Sequence, residues 1–177
     1  KPGIYLEIKS PKRFPGIAQQ LIEFLTRFGW IGADMPSQAQ HANIVSIGLS
    51  SGRVILQSFD PDCVADFARF APTVPRLYLY DGDDIKKTGW SAILQTAIAH
   101  KAGMGPSGYV ALPSKNRDAH NAGLFVHVYT INESWQARLL SLFGADGFFT
   151  DRADMLLAFY GRRPSGTVDA ILQKHGY

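Results

Sequence analysis

The 177-residue chain predicts a parallel α/β fold, and two observations carry that prediction. Short apolar runs alternate with amphipathic segments of helical period, the pattern of βαβ units and a parallel sheet. Residues able to carry chemistry gather where those runs end, the edge at which parallel α/β folds open their sites. The period is irregular and no sequence repeat stands out. A doubly wound open sheet fits, and so does most of a (β/α)8 barrel.

The first strand is Gly3–Lys9. Strand period 2 puts Tyr5, Glu7 and Lys9 on one face and Ile4, Leu6 and Ile8 on the other. Pro15–Phe28 reads as a helix with Ile17, Leu21, Phe24, Leu25 and Phe28 on one face, ended by Gly29. Trp30 to Gly52 is a polar, Gly/Ser-containing connection. Val54–Ser58 is the second strand. Asp60-Pro61 opens the next helix as N-cap and first position, with Val64, Phe67, Ala68 and Ala71 turned inward. Arg76–Tyr80 is the third strand, and a helix over Ser91–Lys101 buries Leu94, Ala97 and Ile98. Ala102–Pro106, Phe125–Thr130 and Gly147–Thr150 are the remaining strands. Helices Ser134–Leu142 and Ala153–Tyr160 follow the last two, with Ser134 and Asp151 as caps. Asp81-Gly-Asp83-Asp84 reads as a turn, because its spacing is not that of an EF-hand loop.

Composition excludes more than it identifies. A net charge of +3 with scattered basic residues offers no stripe for nucleic acid and no basic helix for a membrane surface. The single cysteine, Cys63, rules out an internal disulfide and a cysteine-based zinc site. No apolar run approaches the ~18 residues of a membrane span. Position 1 is Lys and a buried-type strand begins within three residues, so the sequence reads as starting inside a domain.

Glu7-Ile8-Lys9 is the most informative triplet. Burying either charge costs several kcal/mol unless it is paired or holds a metal or anion. On these residues alone, an ordinary ion pair at a strand end and a ligand site remain equally open. The other carboxyl-end candidates are Gln57 and Phe59, Tyr80 and Asp81, Tyr109, His127, Tyr129 and Thr130 with Asn132, and Thr150 with Asp151. His127 reads as a hydrogen-bonded interior histidine before it reads as a catalyst. Asp151 reads as an N-cap before it reads as a ligand. His41, His100, His120 and His175 read as solvated. An open-sheet nucleotide-binding protein is disfavoured, since no glycine-rich phosphate loop follows any strand.

Four motifs in order then resemble the glycerophosphodiester phosphodiesterases, nearest to their periplasmic bacterial branch. They are Gly3-Ile-Tyr-Leu-Glu-Ile-Lys-Ser-Pro11, Leu56-Gln-Ser-Phe-Asp60, Val126-His-Val-Tyr-Thr-Ile-Asn132 and Gly144-Ala-Asp-Gly-Phe-Phe-Thr-Asp151. Together they span the chain to about Tyr160. The resemblance implies a (β/α)8 TIM barrel that hydrolyses glycerophosphodiesters to glycerol 3-phosphate and an alcohol, assisted by a divalent cation, Ca2+ or Mg2+. Carried over by position, Glu7 looks like a carboxylate ligand of that metal, and Lys9 like the catalytic cation on the phosphate. Gln57, Phe59 and Tyr129 look like substrate-binding walls. A periplasmic or secreted location is implied, with the cytoplasm as the alternative.

The chain departs from that family in one respect. The family's first His-Arg-Gly motif, its Glu-x-Asp metal pair and its second catalytic His do not occur here. The expectation is that residues 1–160 hold about six of eight strand–helix units, the C-terminal part of the barrel. Residues 161–177 form a tail with a short helix over 168–174. Alone, such a chain should be inactive, its partner being the missing N-terminal segment of the same barrel. The alternative is a degenerate homologue or partner-assembled half-barrel that binds phosphoesters without turnover.

Overall fold

The computed structural model describes residues 3–32 and 54–162, with residues 170, 173, 174 and 176 of the tail. The connection beyond residue 32, most of the 168–174 helix, His41 and His175 lie outside the described residues. In chain order the elements are β1 (Ile4–Glu7), α1 (Ile17–Arg27), β2 (Val54–Ser58), α2 (Pro61–Phe70), β3 (Arg76–Tyr80), α3 (Gly82–Thr88), α4 (Trp90–Ala99), β4 (Gly103–Pro106), α5 (Pro113–Asn121), β5 (His127–Val128), α6 (Ser134–Leu142), β6 (Gly147–Phe148) and α7 (Ala153–Phe159).

Strand order decides between the two architectures. Strands β1, β2, β3 and β4 pair in that order, all parallel, and β5 pairs parallel with β6. Parallel bridges Met104–Val126 and Ser107–Tyr129 join the β4 and β5 segments. Spatial order therefore follows sequence order. A doubly wound sheet reverses at a switch point, whereas a barrel does not. The sheet also curls: the Tyr5 ring lies 4.8 Å from that of Phe149, and the Tyr5 hydroxyl is 3.2 Å from His127 Nδ1. The inner face of β1 thus meets side chains from the β5 and β6 segments. Six strand–helix units of a TIM barrel are present, and among the described residues β1 and β6 each pair on one side only.

Small residues make room for large ones inside the curve. A Cβ at Gly103 would collide with the Phe125 ring, and one at Gly147 would sit 2.8 Å from His127 Cδ2. Burial among these rings holds His127 neutral, bringing its pKa down to about 4. The interior reading of this histidine holds.

The helices bring corrections. In α1 Ala18, Ile22 and Leu25 pack into a core shared with β2 and α2, while Phe24 and the following Phe28 are 56% and 59% exposed with their rings 4.5 Å apart. The helix carries two apolar stripes, and the chosen face mixed them. Asp60 caps α2 as expected, accepting from the Asp62 and Cys63 amides at 2.9 and 3.2 Å. Ser134 does not cap α6: Glu133 does, in a capping box with Gln136. Asp151 is not the α7 cap, a position that Arg152 holds. The expected turn at Asp81–Asp84 is instead the start of α3, with Asp81 and Asp84 forming a capping box. Helix α5 has no counterpart in the sequence pattern: it is polar, with only Asn116 and Ala119 buried, so no apolar period betrays it.

Candidate functional site

The carboxyl ends of β1, β2 and β5 converge on a cavity of about 320 Å³ lined by Glu7, Lys9, Gln57, Phe59, Leu79, Tyr129, Thr130 and Phe149. All five residues singled out from the sequence as ligand-binding therefore face one space. Glu7 and Gln57 are register partners, and the ladder continues past β1 through the Ile8 amide donating to the Gln57 carbonyl at 3.0 Å. Ser58, fully buried, adds a second clamp. Its hydroxyl donates to the Ile8 carbonyl at 2.9 Å and accepts from the Asp60 amide at 3.1 Å. This stitching keeps the β1 end straight long enough to present Lys9 beside Glu7.

The polar groups in this cavity are under-satisfied. The ion pairs among the described residues all lie elsewhere, so Glu7 and Lys9 are not the ordinary strand-end pair. Gln57 is buried, and its Oε1 has no hydrogen-bond partner. Native interiors rarely leave such an acceptor unpaired, and among the described residues Asn116 Oδ1 shares this condition. The apolar walls are fixed. Tyr129 donates its hydroxyl to the Tyr80 carbonyl at 3.0 Å, and its ring stands edge-on to Phe59 at 5.7 Å. Burial raises the Tyr129 pKa, so the phenol stays protonated.

Other carboxyl-end candidates have structural occupations. Tyr80 is buried in the core. Asp81 caps α3. The Asp151 carboxylate accepts from Asn132 Nδ2 at 2.9 Å, and its amide donates to Asn132 Oδ1. Tyr109 is 93% exposed and lies outside this cavity. His120 is exposed as expected but sits 3.0 Å from the Asp146 carboxylate. His127, held by Tyr5 one layer below, does not line the cavity. Leu79 and Phe149 join the cavity as further lining residues, and strand alternation from Leu77 and Gly147 is the signal that points both of them inward.

A divalent cation fits these residues poorly. Calcium takes six to eight oxygens, and the cavity offers one carboxylate, Glu7, beside Thr130 and a Gln57 whose Oε1 is buried. Among the described residues no group of three His, Cys, Asp or Glu side chains is placed to hold a metal ion.

The model of the family described as "Glycerophosphoryl diester phosphodiesterase family" matches residues 37–155, which leaves Glu7 and Lys9 ahead of the matched span. A glycerophosphodiester phosphodiesterase of Bacillus subtilis (strain 168) is 28% identical over 152 residues, covering 85% of this chain and 46% of its own. A phosphodiesterase from Oleispira antarctica, solved with the product sn-glycerol-3-phosphate, superposes with a TM-score of 0.65 at 19% identity. It covers 90% of this chain and 55% of its own. The glycerophosphodiester phosphodiesterase of Thermotoga maritima gives 0.60 at 15%, covering 88% and 57%. The chain spans about half the length of the relatives it matches.

Proposed function

The chain belongs to the glycerophosphoryl diester phosphodiesterase family, and from that premise we propose that its cavity binds the phosphoester of a glycerophosphodiester. The full-length protein would cleave that ester to glycerol 3-phosphate and an alcohol. The observation that carries the reading is the convergence on one cavity, between aromatic walls, of Glu7 and Lys9, which make no ion pair among the described residues, with Gln57, whose buried Oε1 has no hydrogen-bond partner among them.

Each side chain has a role in this proposal. The Lys9 ammonium faces the phosphoryl oxygens, whose negative charge grows as attack proceeds. Gln57 orients the substrate through hydrogen bonds, and Phe59 and Tyr129 pack against it and exclude water. Tyr129 acts through its ring, since its hydroxyl is held by Tyr80 and stays protonated. Glu7 is the ligand this chain would contribute to the divalent cation implied by the family. The remaining ligands and the acid–base histidines would come from the half of the relatives' length that it does not span. Residues 1–160 form the barrel portion in this reading, residues 161–177 a tail, and the location is periplasmic or secreted.

Calorimetric titration of the 177-residue chain with sn-glycerol 3-phosphate tests this. Binding is expected without turnover, and Lys9→Ala should weaken it about ten-fold or more, the worth of a charge-assisted hydrogen bond. Equal affinity in wild type and Lys9→Ala would remove the assignment.

A further inference from the structure

One polar link inside the sheet has no part in the roles above. On β1, Tyr5 lies two residues before Glu7 on the same face, and on β5 His127 lies two residues before Tyr129. The Tyr5 hydroxyl and His127 Nδ1 are 3.2 Å apart, one donating to the other according to the imidazole tautomer. Burial raises the Tyr5 pKa and brings that of His127 down to about 4, so both groups are neutral at physiological pH. Their strands are not neighbours. Among the described residues the backbone ladder reaches β5 from β1 by way of β2, β3 and β4. The Tyr5–His127 bond crosses the interior directly.

The cavity walls depend on that crossing. The Phe149 ring, part of the wall, stands edge-on to Tyr5 at 4.8 Å and lies 6.5 Å from His127. Tyr129 and Thr130 also border a mostly apolar cleft of about 480 Å³ between the β4–α5 loop and α6, so open space lies on both sides of them. A wall without packing behind it takes its position from its strand. The Tyr129 hydroxyl ties this one to β3 through the Tyr80 carbonyl, and His127 ties it to β1 through Tyr5. We infer that Tyr5 and His127 are positioning residues for the phosphoester. Their bond sets the span between Glu7 and Lys9 on one side of the cavity and Tyr129 and Phe149 on the other. This inference rests on the phosphoester reading above. Neither residue lines the cavity, so neither touches the ligand. The consequence is selectivity: a ligand held at Lys9 alone does not sense the span, whereas one that reaches the opposite wall does.

Tyr5→Phe tests this, because it keeps the ring against Phe149 and deletes the bond. The 177-residue chain is titrated with two probes, inorganic phosphate and sn-glycerol 3-phosphate, whose glycerol extends from Lys9 toward the aromatic wall. Glycerol 3-phosphate affinity should fall about five-fold, the worth of one neutral hydrogen bond, and phosphate affinity by less than about two-fold. His127→Leu should do the same, and the double variant should lose no more than either single one, since both remove one bond. Asn116→Ala is the control. It deletes a bond to the Phe143 carbonyl away from the cavity, and should lower the urea midpoint with both affinities unchanged. Glycerol 3-phosphate binding that survives Tyr5→Phe and His127→Leu overturns the inference. Equal losses for both probes, additive losses in the double variant, or a comparable loss in Asn116→Ala overturn it too. Failure of the phosphoester reading has a different signature: Lys9→Ala then leaves both affinities unchanged. Lys9-dependent binding that is indifferent to Tyr5 and His127 sinks the positioning role alone.

Discussion

At the amino end of β3, Arg76 is 2% exposed and fully engaged. Its guanidinium donates to the carbonyls of Ala71, Pro72, Val74 and His100 at 2.6 to 3.2 Å. Burial brings its pKa down to about 10, which still leaves it cationic at neutral pH. At the carboxyl end of β1, Glu7 and Lys9 are less buried yet make no ion pair among the described residues, and Gln57 beside them keeps an orphan acceptor. The deeply buried charge is satisfied by its own chain, whereas the accessible ones are left for something else. A charge that serves architecture closes its hydrogen bonds locally, whereas the proposed ligand site would keep its charges open beside a strand end that Ser58 fixes.

That contrast can be broken by exchanging its terms. Arg76→Met takes the guanidinium from four carbonyls, of which Ala71 keeps the Val74 amide as donor, and should destabilise the fold by about 3 kcal/mol or more, read as a lower urea midpoint. The affinity of the folded fraction for glycerol 3-phosphate should not change. Lower affinity at unaltered stability would put Arg76 in the site and erase the distinction between the two ends.

His127 sharpens the comparison from inside the sheet. Its pKa falls from 6.5 to about 4 on burial, so the folded protein binds that proton less readily than the unfolded chain. The associated stability is present above pH 6.5 and declines as pH falls toward 4, by roughly 3 kcal/mol at most. His127→Gln should flatten that part of the stability profile. A profile identical to that of the wild type would show that His127 is solvated and accessible.

The smallest effect is expected at Gln57. Gln57→Leu removes a buried unpaired acceptor and should leave stability unchanged or raise it by about 1 kcal/mol, while glycerol 3-phosphate binding weakens. Loss of stability with binding retained would make Gln57 an architectural residue like Arg76.

Much of the site was legible because strand geometry is local. A period of two suffices to set Tyr5, Glu7 and Lys9 on one face, and the same alternation aims Gln57 and Phe59 from β2. The helices were less legible where polarity hid them. Helices α3 and α5 have too few apolar residues to show a period, and α3 was concealed behind the turn-like Asp81–Asp84 run. Two apolar stripes compete in the sequence of α1, and only packing against β2 and α2 selects Ala18, Ile22 and Leu25.

Whereas the family resemblance singled out the five side chains at the cavity, the sequence by itself determined the parallel strand–helix alternation, the Asp60 cap and the shared face of Tyr5, Glu7 and Lys9. Each depends on spacing over a few residues, where backbone geometry leaves little choice. Tertiary structure alone decided that the strands follow one another without a reversal, that Glu7 and Lys9 make no ion pair among the described residues, and that an apolar cleft shares Tyr129 and Thr130 with their cavity. Those properties depend on segments far apart in the chain, and packing between such segments is not encoded in any local period.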